Sequence, residues 1–67
     1  MNYEGKRVFV IPNQMVGVAR IQDSEEVLVE FSRDNGYWFL IENVRLWTRE
    51  RSKKCGFDRK CWSELPY

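Results

Sequence analysis

The feature that most limits how this chain folds is a series of short apolar runs in its first two thirds. Runs of this length, rich in β-branched and aromatic residues and separated by turn residues, are typical of strands. We predict five strands, over Lys6–Ile11, Val16–Gln22, Glu26–Phe31, Tyr37–Ile41 and Val44–Trp47. Pro12-Asn13 separates the first two, and Asn35-Gly36, a pair that tolerates positive φ, predicts a tight hairpin before the fourth. Five short strands are too few for a sandwich and suit a small, closed or half-closed barrel, an architecture that deals with unpaired edges.

The side chains of the third and fourth runs are candidates for the core. The fourth run is apolar at every position, which indicates a strand buried on both faces. A small domain needs its aromatic residues for burial, so we assign Trp38, Phe39 and Phe31 to the core. If Trp38 points inward, alternation along the strand points Tyr37 outward, where it would line a surface patch with Arg20.

Length and composition exclude most enzyme classes. The chain has 67 residues and no histidine, so it lacks the commonest general base and the commonest metal ligand. A domain near this size buries only about 60% of the surface that its unfolded chain exposes, which leaves little room for an enclosed substrate cavity. The sequence also shows no Gly-rich phosphate loop and no nucleophile with a candidate base. We therefore expect a non-enzymatic protein that needs no cofactor.

Charge is unevenly distributed along the chain. Residues 1–44 carry four basic and seven acidic side chains, whereas residues 45–67 carry seven basic and three acidic ones. The seven basic residues are Arg45, Arg49, Arg51, Lys53, Lys54, Arg59 and Lys60. Aromatic residues are interleaved with them, at Trp47, Phe57 and Trp62. This combination is typical of nucleic-acid binding, because Lys and Arg neutralise phosphates and aromatic rings stack on bases; a solvated, purely structural face is the alternative.

The chain therefore divides into residues 1–48, the predicted barrel, and residues 49–67, a basic and aromatic extension. Within the extension, residues 48–54 favour a helix of about two turns that ends at Gly56. A tail that wraps back over the barrel is the alternative. The aromatic side chains of this segment favour packing over disorder.

The two cysteines, Cys55 and Cys61, are too few to define a disulfide scaffold. Structural zinc usually has four ligands, so we predict no metal site. A disulfide that closes a small loop would need oxidising conditions, so two reduced thiols are the expected state and that disulfide is the alternative. No run is long enough for a signal peptide or for the roughly 18 apolar residues that a membrane span requires. A cytoplasmic protein is the resulting prediction.

Three segments of the sequence resemble a known superfamily. They are Gly5-Lys6-Arg7-Val8, then Gly17–Ile21 followed by Val27–Phe31, then Tyr37-Trp38-Phe39 followed by Glu42-Asn43-Val44. In order and spacing they resemble the SH3-like small barrels, which include SH3, Tudor and KOW domains and retroviral integrase C-terminal domains. The resemblance covers residues 5–48 and implies an all-β, five-stranded SH3-like barrel with a single 3₁₀ turn before the fifth strand.

The superfamily binds peptides, methylated tails, nucleic acids and other proteins, so the resemblance does not choose among functions. The first loop, Pro12–Met15, is too short for the long acidic loop with which SH3 domains grip proline-rich ligands, and no four-aromatic cage for methylated side chains can be assigned.

Two functions remain. The first is binding of DNA or RNA through the basic side chains of residues 45–60, with Trp47 or Trp62 stacking on bases. The second is a protein-interaction module, an adaptor or an inhibitor of a partner protein, with Tyr37, Trp47 and Trp62 as anchors. A homodimer is compatible with both, since a small core often gains from association.

Overall fold

The computed structural model describes residues 2–66. Its elements are β1 (Arg7–Val10), β2 (Met15–Gln22), β3 (Glu26–Ser32), β4 (Asn35–Leu40), a 3₁₀ turn (Ile41–Asn43), β5 (Val44–Leu46), α1 (Arg49–Cys55) and α2 (Arg59–Ser63). The five predicted strands are confirmed, with each boundary within two residues of the prediction. The short helix that ends before Gly56 is confirmed as α1, and α2 was not predicted.

The five strands form one antiparallel sheet in the order β4-β3-β2-β1-β5. Consecutive strands from β1 to β4 pair as hairpins, and β5 returns to pair with β1. β4 and β5 are therefore the two edges of this sheet, and β1 is an inner strand. The prediction of a mostly β fold is confirmed.

The main hydrophobic core lies on one face of the sheet, which we call the inner face. Its buried residues are Tyr3, Val8, Val10, Ala19, Val27, Val29 and Val44. Small residues let β2 and β3 approach each other beside this core. A Cβ added to Gly17 would lie 2.6 Å from Cγ1 of Val29 and 2.8 Å from the carbonyl oxygen of Glu30. Glycine at position 17 therefore permits the close contact between β2 and β3.

A second core lies on the opposite, outer face, against β1. It consists of Phe9, Ile11, Cys55 and Trp62, with Val16, Trp47, Cys61 and Leu65 packed around it. Because Val8 and Val10 point to the inner face and Phe9 and Ile11 to the outer face, β1 is buried on both sides. The helices α1 and α2 supply the cover. We call residues 49–65, which contain both helices, the cap.

The prediction that the fourth strand is buried on both faces is wrong. β4 is at the edge of the sheet, and Trp38, assigned above to the core, is 48% exposed. Phe39 and Phe31 do pack against the inner core, with ring centroids 5.8 Å apart. Trp38 points to the outer face, and no described residue covers that face beside β4, because the cap lies over β1 instead.

The hairpin between β3 and β4 is displaced from the position that the Asn35-Gly36 pair predicted. Its turn residues are Arg33 and Asp34, and Asp34 takes the positive φ of 64°. Asn35 already belongs to β4, where it pairs with Ser32. Asp tolerates the left-handed conformation nearly as well as Asn, which is why the turn forms two residues earlier.

Candidate nucleic-acid interface

The two helices of the cap are bounded by capping residues that the sequence supplies. Thr48 precedes α1, and its Oγ1 accepts a hydrogen bond from the backbone N–H of Arg51 at 3.2 Å. Gly56 ends α1 with a φ of 56°, a value that favours glycine. Asp58 precedes α2, and its Oδ1 accepts from the N–H of Lys60 at 3.0 Å. Short helices depend on such capping residues and on packing, since a helix of two turns is only marginally stable by itself.

A disulfide joins Cys55, at the end of α1, to Cys61, in the middle of α2. The prediction of two reduced thiols is wrong. The turn at residues 56–58 reverses the chain and brings the two Cα atoms to 5.6 Å, within the range that a disulfide spans. Disulfides persist in oxidising compartments, so the cytoplasmic location predicted above loses the support of reduced cysteines.

Five of the seven predicted basic residues lie exposed on the cap. They are Arg49, Lys53 and Lys54 on α1, and Arg59 and Lys60 on α2. Within residues 2–66, none of these five side chains makes an ion pair or a hydrogen bond to another residue. The helical period places the three on α1 on the side away from buried Cys55, with Glu50 among them. The cap therefore presents unneutralised positive charge to solvent.

The other two basic residues have different surroundings. Arg45 lies half-buried on β5, where Nε donates to the carbonyl of Leu65 at 2.9 Å and Nη1 to that of Glu42 at 2.6 Å. This guanidinium ties the end of the cap to the sheet. Arg51 is half-buried, on the same side of α1 as Cys55. Neither Arg45 nor Arg51 therefore belongs to the group of five exposed cations on the cap.

The aromatic residues are also divided between core and surface. Trp62 is fully buried, with its ring stacked on Phe9 at 4.5 Å and on Trp47 at 5.3 Å between centroids. Its Nε1 donates to the carbonyl of Gly56 at 2.9 Å, so the indole is satisfied inside the protein. Trp47 is half-buried in the same stack. A base cannot reach the faces of Trp62 in this arrangement, so the prediction that Trp62 stacks on bases is wrong.

Phe57 is the aromatic residue that the cap exposes. It lies in the turn between α1 and α2 and is 58% exposed. Its ring leans on Trp47, with centroids 5.5 Å apart, and its carbonyl accepts a hydrogen bond from the side chain of Gln14 at 3.2 Å. Phe57 is thus held in place and more than half exposed, in the turn between the two helices that carry the basic residues.

Sequence reasoning named Phe57 among the aromatic residues but not as a contact. A signal was present, because Phe57 stands between Gly56 and Asp58, two residues typical of turns. Tyr37, the remaining predicted aromatic contact, is exposed but lies on β4, at the edge of the sheet farthest from β5. The structure does not bring it together with the basic residues.

Among residues 2–66, no group of three or more His, Cys, Asp or Glu side chains could hold a metal ion. Neither helix in this range has the length and apolar composition needed to cross a bilayer. What the cap combines is exposed cations, one exposed aromatic ring and a rigid support.

No protein-family model, no curated protein and no solved structure matches the chain in comparisons with known proteins.

Proposed function

We propose that this protein is a non-enzymatic nucleic-acid-binding module whose contact surface is the cap. The observation that carries the proposal is the group of five exposed cations that form no ion pair with a described residue. Unpaired Lys and Arg side chains on a folded surface release counterions when they meet phosphates, and this release supplies most of non-specific nucleic-acid affinity.

The cap holds these cations on a preorganised support. The Cys55–Cys61 disulfide and the stack of Trp62 on Phe9 fix α1 and α2 against β1. Little backbone entropy is then lost when a nucleic acid binds, since the helices are already ordered. The flexible part is confined to the Lys and Arg side chains, which suits contacts to a phosphate backbone of variable conformation.

Phe57 favours a ligand with unpaired bases. A Phe ring with one open face stacks on any base, and such stacking contributes about 1–3 kcal/mol per base. Bases inside a duplex offer no free face for this contact. Single-stranded DNA and single-stranded RNA share the required chemistry, phosphate charge and an open base.

We also propose that the sheet is a small barrel of the SH3-like kind. The pairing of β1 with both β2 and β5, and the 3₁₀ turn Ile41–Asn43 directly before β5, support this proposal. On such a support the cap occupies one side of the barrel, over β1, and leaves β2–β4 outside the nucleic-acid contact.

The test is a titration of a fluorescent oligothymidine, followed by anisotropy at increasing salt. If all five cations contact phosphates, the logarithm of the association constant should fall against the logarithm of the salt concentration with a slope of about −3.5, at 0.7 per contact. Lys53→Ala and Lys54→Ala should each reduce this slope by about 0.7. Phe57→Ala should weaken binding about 5- to 150-fold and leave the slope unchanged, because stacking releases no counterions.

Arg33→Ala is the matched control, since Arg33 is an exposed cation in the turn between β3 and β4, at the far edge of the sheet. It should leave both affinity and slope unchanged. Absence of binding at about 20 mM salt would overturn the function, because electrostatic affinity is greatest there. Equal losses for Arg33→Ala and the Lys variants would overturn the assignment to the cap.

A further inference from the structure

The open edge of the sheet lacks most of the features that normally keep a strand from pairing with another chain, and the irregularity in the β3–β4 pairing lies between Glu30 and Ser32, at the turn end of β4. Natural edge strands are protected by charged side chains, proline, bulges or a covering segment. β4 has the sequence NGYWFL, with no charged residue and no proline. Five of its six residues are exposed, and only Phe39 is half-buried. β4 is therefore a ready template for a further strand.

The backbone groups of β4 that face the open edge can be identified from the ladder. The N–H of Ile41 donates to the carbonyl of Glu25 at 2.9 Å, toward β3. Pairs along an antiparallel ladder alternate between hydrogen-bonded and non-hydrogen-bonded. The N–H and C=O groups of Gly36, Trp38 and Leu40 consequently point away from β3, to the edge that no described residue occupies.

An apolar strip lies on the outer face beside this edge. Ile21, Leu28 and Trp38 are cross-strand partners in β2, β3 and β4, so they form one row across the sheet. Leu40 is on the same face, two residues along β4. Ile21, Trp38 and Leu40 are 46–49% exposed. Exposed apolar residues that adjoin in this way mark interaction surfaces, whereas single ones do not.

We propose that β4 pairs in antiparallel orientation with β4 of a second copy, about a two-fold axis at Trp38. In this register Trp38 lies opposite Trp38, and the two rows join into one continuous apolar row. Leu40 lies opposite Gly36 of the other copy, where the missing side chain leaves space for it. The groups that point to the open edge then pair with each other along residues 36–40.

The charged residues of β3 are also compatible with this register. Glu26, beside Leu40, would stand three strands away from Glu30 of the second copy, roughly 14 Å at 4.8 Å per strand. That Glu30 is already paired with Arg20 at 3.2 Å. Glu42 would come beside the turn that carries both Arg33 and Asp34 in the second copy, so it meets one base and one acid there. A second copy therefore satisfies the backbone groups of the edge and keeps the glutamates of β3 apart.

Sedimentation equilibrium tests the pairing. One strand on each side is a small contact, so we expect reversible association in the micromolar range. The mass should rise from 8.1 kDa toward twice that value as protein increases from about 10 μM to about 1 mM. Trp38→Lys places two positive charges at the axis and should raise the dissociation constant by about 100-fold or more.

Phe57→Lys is the matched control, since it places the same charge at an exposed aromatic residue of the cap, 58% exposed against 48% for Trp38, and should leave the dissociation constant unchanged. Far-UV circular dichroism shows whether each variant is folded. A mass of 8.1 kDa at every concentration would overturn the proposal, and so would a dimer that survives Trp38→Lys. The salt-dependent binding of oligothymidine is measured separately, so failure of either proposal leaves the other standing.

Cross-linking tests the register. With Cys55 and Cys61 already paired, Trp38→Cys adds a single free thiol at the axis and should give a disulfide-linked dimer on mild oxidation. Ile21→Cys is the control, because the two Ile21 positions would be five strands apart, roughly 24 Å. Efficient cross-linking of Ile21→Cys, or none with Trp38→Cys, would overturn this register.

Discussion

The outer face of the sheet has two halves, one covered by the cap and one exposed to solvent. Over β1 and β5, the aromatic residues are enclosed by the cap, and Trp62 from that cap is fully buried against Phe9. Over β2–β4, a row of similar composition stays in contact with solvent, and Trp38 is 48% exposed. Both halves carry apolar side chains, but the cap covers only the half over β1 and β5.

The difference shows that burial in this protein depends on where the C-terminal segment lies rather than on local composition. Two indoles in one domain thereby acquire different roles. Trp62 contributes to stability, and Trp38 is available to a second molecule. Substitutions at matched positions in the two halves test whether their roles differ.

The largest contrast is expected between Trp62→Ala and Trp38→Ala. Removing a fully buried indole should lower the free energy of unfolding by about 3–5 kcal/mol, since it leaves a cavity between the cap and β1. Trp38→Ala should cost less than about 1 kcal/mol in dilute protein, because the side chain is already half in water. Urea unfolding at about 1 μM protein, followed by circular dichroism, measures both. Equal losses would show that the two halves of the outer face are not different.

Loss of the disulfide should have a smaller effect, confined to the cap. Replacing Cys55 and Cys61 together by serine opens a loop of seven residues and should cost roughly 2 kcal/mol by the chain-entropy estimate. Hydrogen exchange should quicken at amides of α1 and α2, whereas amides that pair β2 with β3 change only as far as global stability falls. Equal local acceleration in both regions would contradict the view that the disulfide serves the cap alone.

The smallest effect is expected at the start of α1. Thr48→Ala removes the hydroxyl that accepts the N–H of Arg51 and should cost about 1 kcal/mol. Thr48→Ser keeps an acceptor and is the matched control, with a loss near zero. Urea unfolding of the three proteins gives the difference. A loss for Thr48→Ser as large as that for Thr48→Ala would assign the effect to the threonine methyl group and not to the hydrogen bond that Thr48 accepts from Arg51.

Sequence patterns predicted the strands well because local propensity and turn residues determine them. They predicted α1 for the same reason, since Gly56 marks its end. They failed at β4, where a continuous apolar run indicated burial and the strand is at an edge. They also assigned to Trp62 the exposed role that Phe57 has, because one-dimensional spacing does not show which aromatic residue packs inward.

The candidate site was predicted in part. The five exposed cations of the cap were among the seven proposed, and charge segregation along the chain identified their segment. Arg45 could not be distinguished from them, because its carbonyl partner Leu65 is 20 residues away in sequence. The pairing of Cys55 with Cys61 likewise depends on a chain reversal that their spacing does not reveal.

Local sequence patterns are enough to predict the five strands and the division into an acidic sheet and a basic C-terminal segment, because these follow from neighbouring residues. The tertiary structure was needed to show which face of β1 the cap covers, which tryptophan is buried and which edge stays open. Those outcomes depend on contacts between residues far apart in the chain. A sheet with apolar residues on both faces could be covered by the C-terminal segment at more than one place, and local sequence does not choose among them.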